Sequence, residues 1–219
     1  MDQKEPPEFM LDVFADPRSL RDVVKGKDPP CAFMTSLARK TNFGSLGVAG
    51  ILHTIFFNRF FPSLVPKTRD VLGVTLPYVD DDELQTMIEQ RVAALDRQLD
   101  AERSSNVPGN GNGGRGQVAV HFFEKRRRKA WLARGDEEVC WECWTVKVTV
   151  AEPRTESERA KVRNAMEQTL RTTAIKIVTF ANTHKDHIPP ITTQGANPFP
   201  YKINIDQKET GWATRMGIY

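Results

Sequence analysis

Trp144, Val146, Val148 and Val150 alternate with Cys143, Thr145, Lys147 and Thr149. In an extended chain successive side chains point to opposite faces, so the large apolar residues share one face and the polar set the other. A chain carrying this segment has to build a sheet with one face covered. A second alternating run, Val118, Val120 and Phe122 against His121 and Glu124, precedes it. A charged excursion joins the two, which predicts a long hairpin with the excursion as its turn.

The remaining elements follow from periodicity and punctuation. Met10, Leu11, Val13 and Phe14 predict a first strand, Val71 to Val79 a second, and Tyr201, Ile203 and Ile205 a last one. Asp16-Pro17 reads as a helix start, a good N-cap followed by proline at the position where its missing N–H does no harm. Asp80 with Glu83 resembles a capping box ahead of Leu84, Met87, Ile88, Leu95 and Leu99. Thr155 with Glu158 is a second capping box, ahead of Val162, Met166, Leu170, Ile177 and Phe180, and Pro189-Pro190 closes that helix. Residues 104–116, SSNVPGNGNGGRG, predict a flexible loop. It lacks the Gly-Lys-Ser/Thr ending of a phosphate loop.

One stretch breaks the order. Leu20, Val23 and Val24 begin an apolar stripe that stops at Gly26, and Ile51, Leu52, Ile55 and Phe56 resume one with no cap before it. Deleting residues 27–50 would bring both sets onto one face of one helix. An unrelated loop would not be expected to leave the halves in phase. Residues 27–50 therefore read as an insertion or a retained intron: Gly26-Lys27 and Ala49-Gly50 can encode ordinary splice borders, and the segment is a whole number of codons. A genuine surface loop is the alternative.

The chemistry of the chain excludes several classes. No apolar run approaches the ~18 residues of a membrane span, and the acidic, proline-bearing start, residues 1–8, is expected to be a tail and not a signal peptide. Three cysteines argue against a disulfide framework and for a reducing, cytosolic or nuclear compartment. Cys140 and Cys143 with His184 and His187 have spacings that could suggest zinc, but three-residue separation along a strand is expected to put the two thiols on opposite faces. No nucleophile, base or carboxylate pair assembles into a catalytic constellation. The expectation is a non-enzyme with no cofactor and no metal.

The chain carries 31 Lys plus Arg against 28 Asp plus Glu, a net charge of +3. The run Lys125-Arg126-Arg127-Arg128-Lys129 accounts for that excess, and without it the chain is net acidic. The run could be a solvated flank, a partner or membrane-surface contact, or a phosphate contact of a nucleic-acid-binding module. Trp131 and Leu132, in the turn of the hairpin, are candidates for an exposed docking anchor; the alternative is that Trp131 folds back onto the sheet.

The segment Trp141-Glu142-Cys143-Trp144-Thr145-Val146-Lys147-Val148-Thr149-Val150 resembles the autophagy-related protein 101 family of HORMA-domain proteins. Ile51-Leu52-His53-Thr54, Phe122-Phe123-Glu124-Lys125, the basic run, the lone Trp131, the Thr155–Glu158 helix and Tyr201-Lys202-Ile203 stand in family order. The resemblance covers the chain except residues 27–50. It implies one α+β HORMA-like domain over residues 9–219, a mostly antiparallel sheet backed by three helices, without catalysis. It further implies a scaffold that pairs with the HORMA domain of autophagy-related protein 13 within the autophagy-initiation kinase complex, cytoplasmic and moving to the phagophore assembly site on induction. A docking loop of the family, usually Trp-Pro-Phe, corresponds to Trp131-Leu132-Ala133, where the tryptophan matches and the phenylalanine does not. A HORMA adaptor in another signalling pathway is the nearest competing expectation.

Overall fold

A computed structural model gives the fold; it describes residues 5–15, 43–62, 65–105, 114–127, 136–151, 153–191 and 197–206. Among these, six strands and three helices follow in the order β1 (Glu8–Ala15), α1 (Phe43–Arg59), β2 (Lys67–Val71), β3 (Val74–Tyr78), α2 (Asp82–Ser105), β4 (Arg115–Arg127), β5 (Asp136–Val150), α3 (Glu156–Thr183) and β6 (Tyr201–Asp206). Four strands form one sheet in the order β1-β5-β4-β6, and β2 with β3 forms a separate hairpin. β1 runs parallel to β5, while the β4–β5, β4–β6 and β2–β3 pairs are antiparallel. This is the α+β, HORMA-like arrangement expected above.

The alternation in β5 does what it predicts. Trp144, Val146, Val148 and Val150 are buried, and they meet Val118, Val120 and Phe122 of β4, Leu11 and Val13 of β1 and Ile203 of β6 in one core. The helices cover this face. α1 is central: every residue from Leu46 to Phe56 is buried, so it carries no polar face and behaves as a helix enclosed on all sides. Its last turn lies near β5 and α3, and its middle packs on β1 and β3.

Two glycines let elements approach closely. A Cβ on Gly50 of α1 would stand 2.8 Å from Leu76 Cδ1 of β3, and one on Gly116 of β4 would stand 2.7 Å from Leu95 Cδ1 of α2. Both distances are inside van der Waals contact, so the bare backbone is what lets these elements meet.

Four sequence expectations need correction. The second strand is two: Leu72 and Gly73, both at positive φ, make a two-residue turn between β2 and β3. Leucine is an uncommon residue there, so the turn had no sequence signal. The α2 cap is Asp81, whose Oδ1 accepts from Leu84 N at 2.8 Å; Asp80 pairs with Lys67 instead. The glycine-rich segment 104–116 is shorter than expected, since Ser104 and Ser105 end α2 and Arg115 and Gly116 open β4. The last part of segment 27–50, Phe43 to Gly50, forms the first two turns of α1, with Leu46, Val48 and Ala49 in the core. The rest of that segment, and the expected helix start at Asp16-Pro17, lie outside the described residues. The capping box of α3 is as read: Glu158 N donates to Thr155 Oγ1 at 3.2 Å, and Thr155 N donates to Glu158 Oε2 at 3.3 Å.

Candidate protein-docking site

The Trp-Glu-x-Trp motif opens the site. The β4–β5 register shifts between Phe122 and Phe123: Phe122 pairs with Glu142 and Phe123 with Cys140, leaving Trp141 unopposed as a bulge. The extra residue lets Trp141 and Glu142, neighbours in sequence, both face the helices. Trp141 packs on Phe122, Phe199 and His187 at ring distances of 5.7, 5.0 and 5.7 Å. The same bulge changes the parity of the thiols. Cys140 pairs with Phe123 and Cys143 with His121, and those two rings share the outer face, so both cysteines lie on that face, contrary to the expectation from spacing alone. Neither is in a disulfide, and burial pushes the Cys140 thiol up from its ordinary value. Among the described residues no three His, Cys, Asp or Glu side chains could together hold a metal ion.

Glu142 is fully buried and is the hub of an ion cluster. Arg59 Nε, at the end of α1, donates to its two oxygens at 2.8 and 3.0 Å, Trp144 Nε1 to Oε1 at 2.5 Å, and His187 Nε2 lies 2.7 Å from Oε2. The guanidinium also donates to the carbonyls of Asn58 and Ala181 through Nη1 and of His184 through Nη2. One carboxylate thus joins α1, β5, the end of α3 and the turn after it. His184 and His187, weighed as metal ligands from spacing, serve here: His184 N caps α3 on Phe180 O, and His187 faces the carboxylate. With Arg59 2% and Glu142 0% exposed, removing either partner strands a buried charge, a loss of about 3–5 kcal/mol for such pairs. The hub was not read from the sequence, although Glu142 shares the parity of Trp144, and a carboxylate at a core position requires a partner.

Beyond the bulge, β4 and β5 continue as an exposed arm. Lys125 and Arg126 are exposed, and Arg127 ends β4. Arg128, Lys129, Trp131 and Leu132 lie outside the described residues. The structure brings to the arm an acidic set that the charge arithmetic passed over: Lys125 stands opposite Glu138, Arg126 opposite Glu137 and Arg127 opposite Asp136. Arg126 Nε also lies 2.6 Å from Glu124 Oε2. Lys125 and Arg126 thus each stand opposite a carboxylate, which weakens them as a phosphate-binding surface.

On α3, the side away from the core carries Ile175 at 61% and Val178 at 42% exposure. The buried line of the helix runs through Met166, Leu170, Thr173, Ile177 and Ala181, so these two β-branched residues contribute nothing to the fold's interior.

A family model described as Autophagy-related protein 101 matches residues 47–195. The curated relatives carry the same description. The chain is similar to the Arabidopsis thaliana protein at 27% identity over 176 residues, covering 71% of this chain and 77% of that one. It is similar to the Schizosaccharomyces pombe protein at 24% over 171 residues, covering 77% and 83%. Similarity to the Homo sapiens protein is 28% over 175 residues, covering 71% and 78%. The family match spans the bulge, the Glu142 hub, the arm and α3.

Proposed function

Because the chain belongs to the autophagy-related protein 101 family and so has a role in autophagy, we propose that it is a non-catalytic scaffold subunit of the autophagy-initiation kinase complex. In this role it heterodimerises with the HORMA domain of autophagy-related protein 13 and stabilises it. The exposed apolar pair Ile175 and Val178 on α3 is the observation that carries the dimer: two large apolar side chains one turn apart on the outer side of a helix offer a patch that a partner can cover. Among the described residues no helix is long and apolar enough to cross a membrane, and membrane contact, where it occurs, is peripheral. The protein works in the cytoplasm and gathers at the phagophore assembly site when autophagy is induced.

Recruitment of downstream factors is assigned to Trp131 with Leu132 in the hairpin turn, Leu132 standing in for the family's phenylalanine. The nucleic-acid alternative is disfavoured by the acidic residues set opposite Lys125 and Arg126, and no observation favours an adaptor role in another pathway.

Co-expression with the autophagy-related protein 13 HORMA domain tests the dimer. The two are expected to co-purify, and the melting temperature of this chain to rise, since a partner that binds only the folded state shifts unfolding by mass action. Separate elution with an unchanged melting temperature would reject the pairing. Trp131→Ala is expected to spare the dimer and weaken downstream recruitment about thirtyfold, the loss that corresponds to ~2 kcal/mol at an interface tryptophan.

A further inference from the structure

The sheet narrows past the bulge. β6 pairs with β4 only over Gln117–Phe122, and β1 meets β5 only from Cys143 onward. Phe123 N still donates to Pro200 O at 2.8 Å; Glu124–Arg127 and Asp136–Val139 then go on as a two-stranded ribbon, about 10 Å long at ~3.4 Å per residue. A two-stranded ribbon is marginal in water by itself. What holds its strands together then depends on the side chains that face each other across it, where opposite charges stabilise and like charges destabilise.

In this ribbon two register pairs are basic against acidic, Lys125 with Glu138 and Arg126 with Glu137, and Arg126 Nε also lies 2.6 Å from Glu124 Oε2 on its own strand. The base of the ladder is tied to the sheet. Lys202 Nζ of β6 lies 2.7 Å from Glu138 Oε2 and 4.6 Å from the centre of the Phe123 ring. The Lys202 hydrogen bond and charge, with the charge of Lys125, lower the Glu138 pKa from its ordinary value. A ribbon whose run of like charges lay unopposed would splay, and its end would have no fixed direction.

The geometry points to Lys125 and Arg126 as positioning residues: set opposite Glu138 and Glu137, they hold the ribbon in register and fix where its tip is presented. This rests on the assignment of recruitment to the hairpin turn. The basic run then serves docking through the strand opposite it, and a direct grip on an anionic partner is not required.

A charge swap separates the two roles. Arg126→Glu sets like charges against Glu137 across the ribbon and Glu124 on its own strand. Adding Glu124→Arg and Glu137→Arg restores both oppositions with their signs exchanged and leaves Lys125, Glu138 and Lys202 in place. In the full chain bound to its HORMA partner, the single reversal is expected to speed amide exchange over Glu124–Arg127 by about tenfold. Starvation-induced autophagic flux should fall in cells carrying that variant as their only copy. The threefold variant is expected to restore both. Exchange unchanged by the single reversal would overturn the ladder, and exchange restored without flux would show that Arg126 touches a partner directly, which overturns the positioning role. Trp131→Ala, run alongside, is expected to lower flux with exchange unaltered. If it leaves flux intact, the assignment of recruitment to the turn fails, while the exchange data still decide the ladder.

Discussion

His53 lies in the middle of α1, fully buried, with its ring edge-on to Tyr78 at 6.1 Å. Burial, and then the charge of Arg69, hold its pKa down to about 3 from 6.5. Between those values the unfolded chain takes up a proton that the folded chain refuses, so stability rises with pH across this window. The contribution of neutral His53 is complete above 6.5 and drains away as pH falls toward about 3. Urea unfolding from about pH 7 to about pH 5 should show stability falling on the acid side, by at most about 1.4 kcal/mol per pH unit from this residue. His53→Phe should flatten that slope; an unchanged slope would assign the acid sensitivity elsewhere. The stripe of Ile51, Leu52, Ile55 and Phe56 leaves His53 on the opposite, polar side of the helix. The structure removes that side, since α1 is enclosed on every face. Glu142 escaped notice for a related reason. A one-residue bulge decides which side chains of the motif face inward, and period-two counting carries no information about a bulge.

Elements defined by local chemistry were legible; those defined by a partner element were not. The α3 capping box is written in two residues three apart, and the structure forms both of its hydrogen bonds. The Leu72-Gly73 turn and the first turns of α1 depend on what packs against them. The structure sharpens the question of residues 27–50. A chain joining Gly26 directly to Ile51 would set Gly26 at the place of Gly50 and Val24 at that of Val48. At Gly50 a Cβ would meet Leu76, so glycine is what this position calls for, and the joined sequence supplies it. Lys25 would fall at the place of Ala49 and Asp22 at that of Leu46, 2% and 3% exposed in the full chain, so the join sets two charges against the core. We therefore expect the shortened chain to have a lower urea midpoint than the full chain, and an equal or higher midpoint would show that the segment is dispensable. Gly50→Val in the full chain and Gly26→Val in the shortened one should each lower stability, by roughly 1–3 kcal/mol for overpacking of this kind. A Gly26→Val variant of the shortened chain that unfolds like its parent would show that the two half-stripes do not join in this register. Absence of any spliced message joining Gly26 to Ile51 would remove the intron origin.

At the scale of the whole molecule, the core sits between the inner face of the sheet and the three helices, so what is left for partners is what those layers do not use. On α3 the residues facing inward and those facing out are separated by helical phase: Met166, Leu170, Thr173, Ile177 and Ala181 hold the helix down, while Ile175 and Val178 face away. That outward pair could not be told from an interior one by hydrophobicity, because a branched apolar residue on a helix reads the same in either role until the sheet beneath it is placed. It makes a surface test possible without harming the fold. Ile175→Asp with Val178→Asp should leave the stability of the chain alone within about 1 kcal/mol, and its melting temperature nearly unchanged, as substitutions away from the core do. The same variant should abolish the rise in melting temperature that the autophagy-related protein 13 HORMA domain produces. That rise corresponds to about 2.7 kcal/mol when the partner is present at a hundred times its dissociation constant, and it vanishes when binding is lost. Retained stabilisation by the partner would place the dimer surface on another face, with the exposed Met10 and Phe14 of β1 the next residues to substitute.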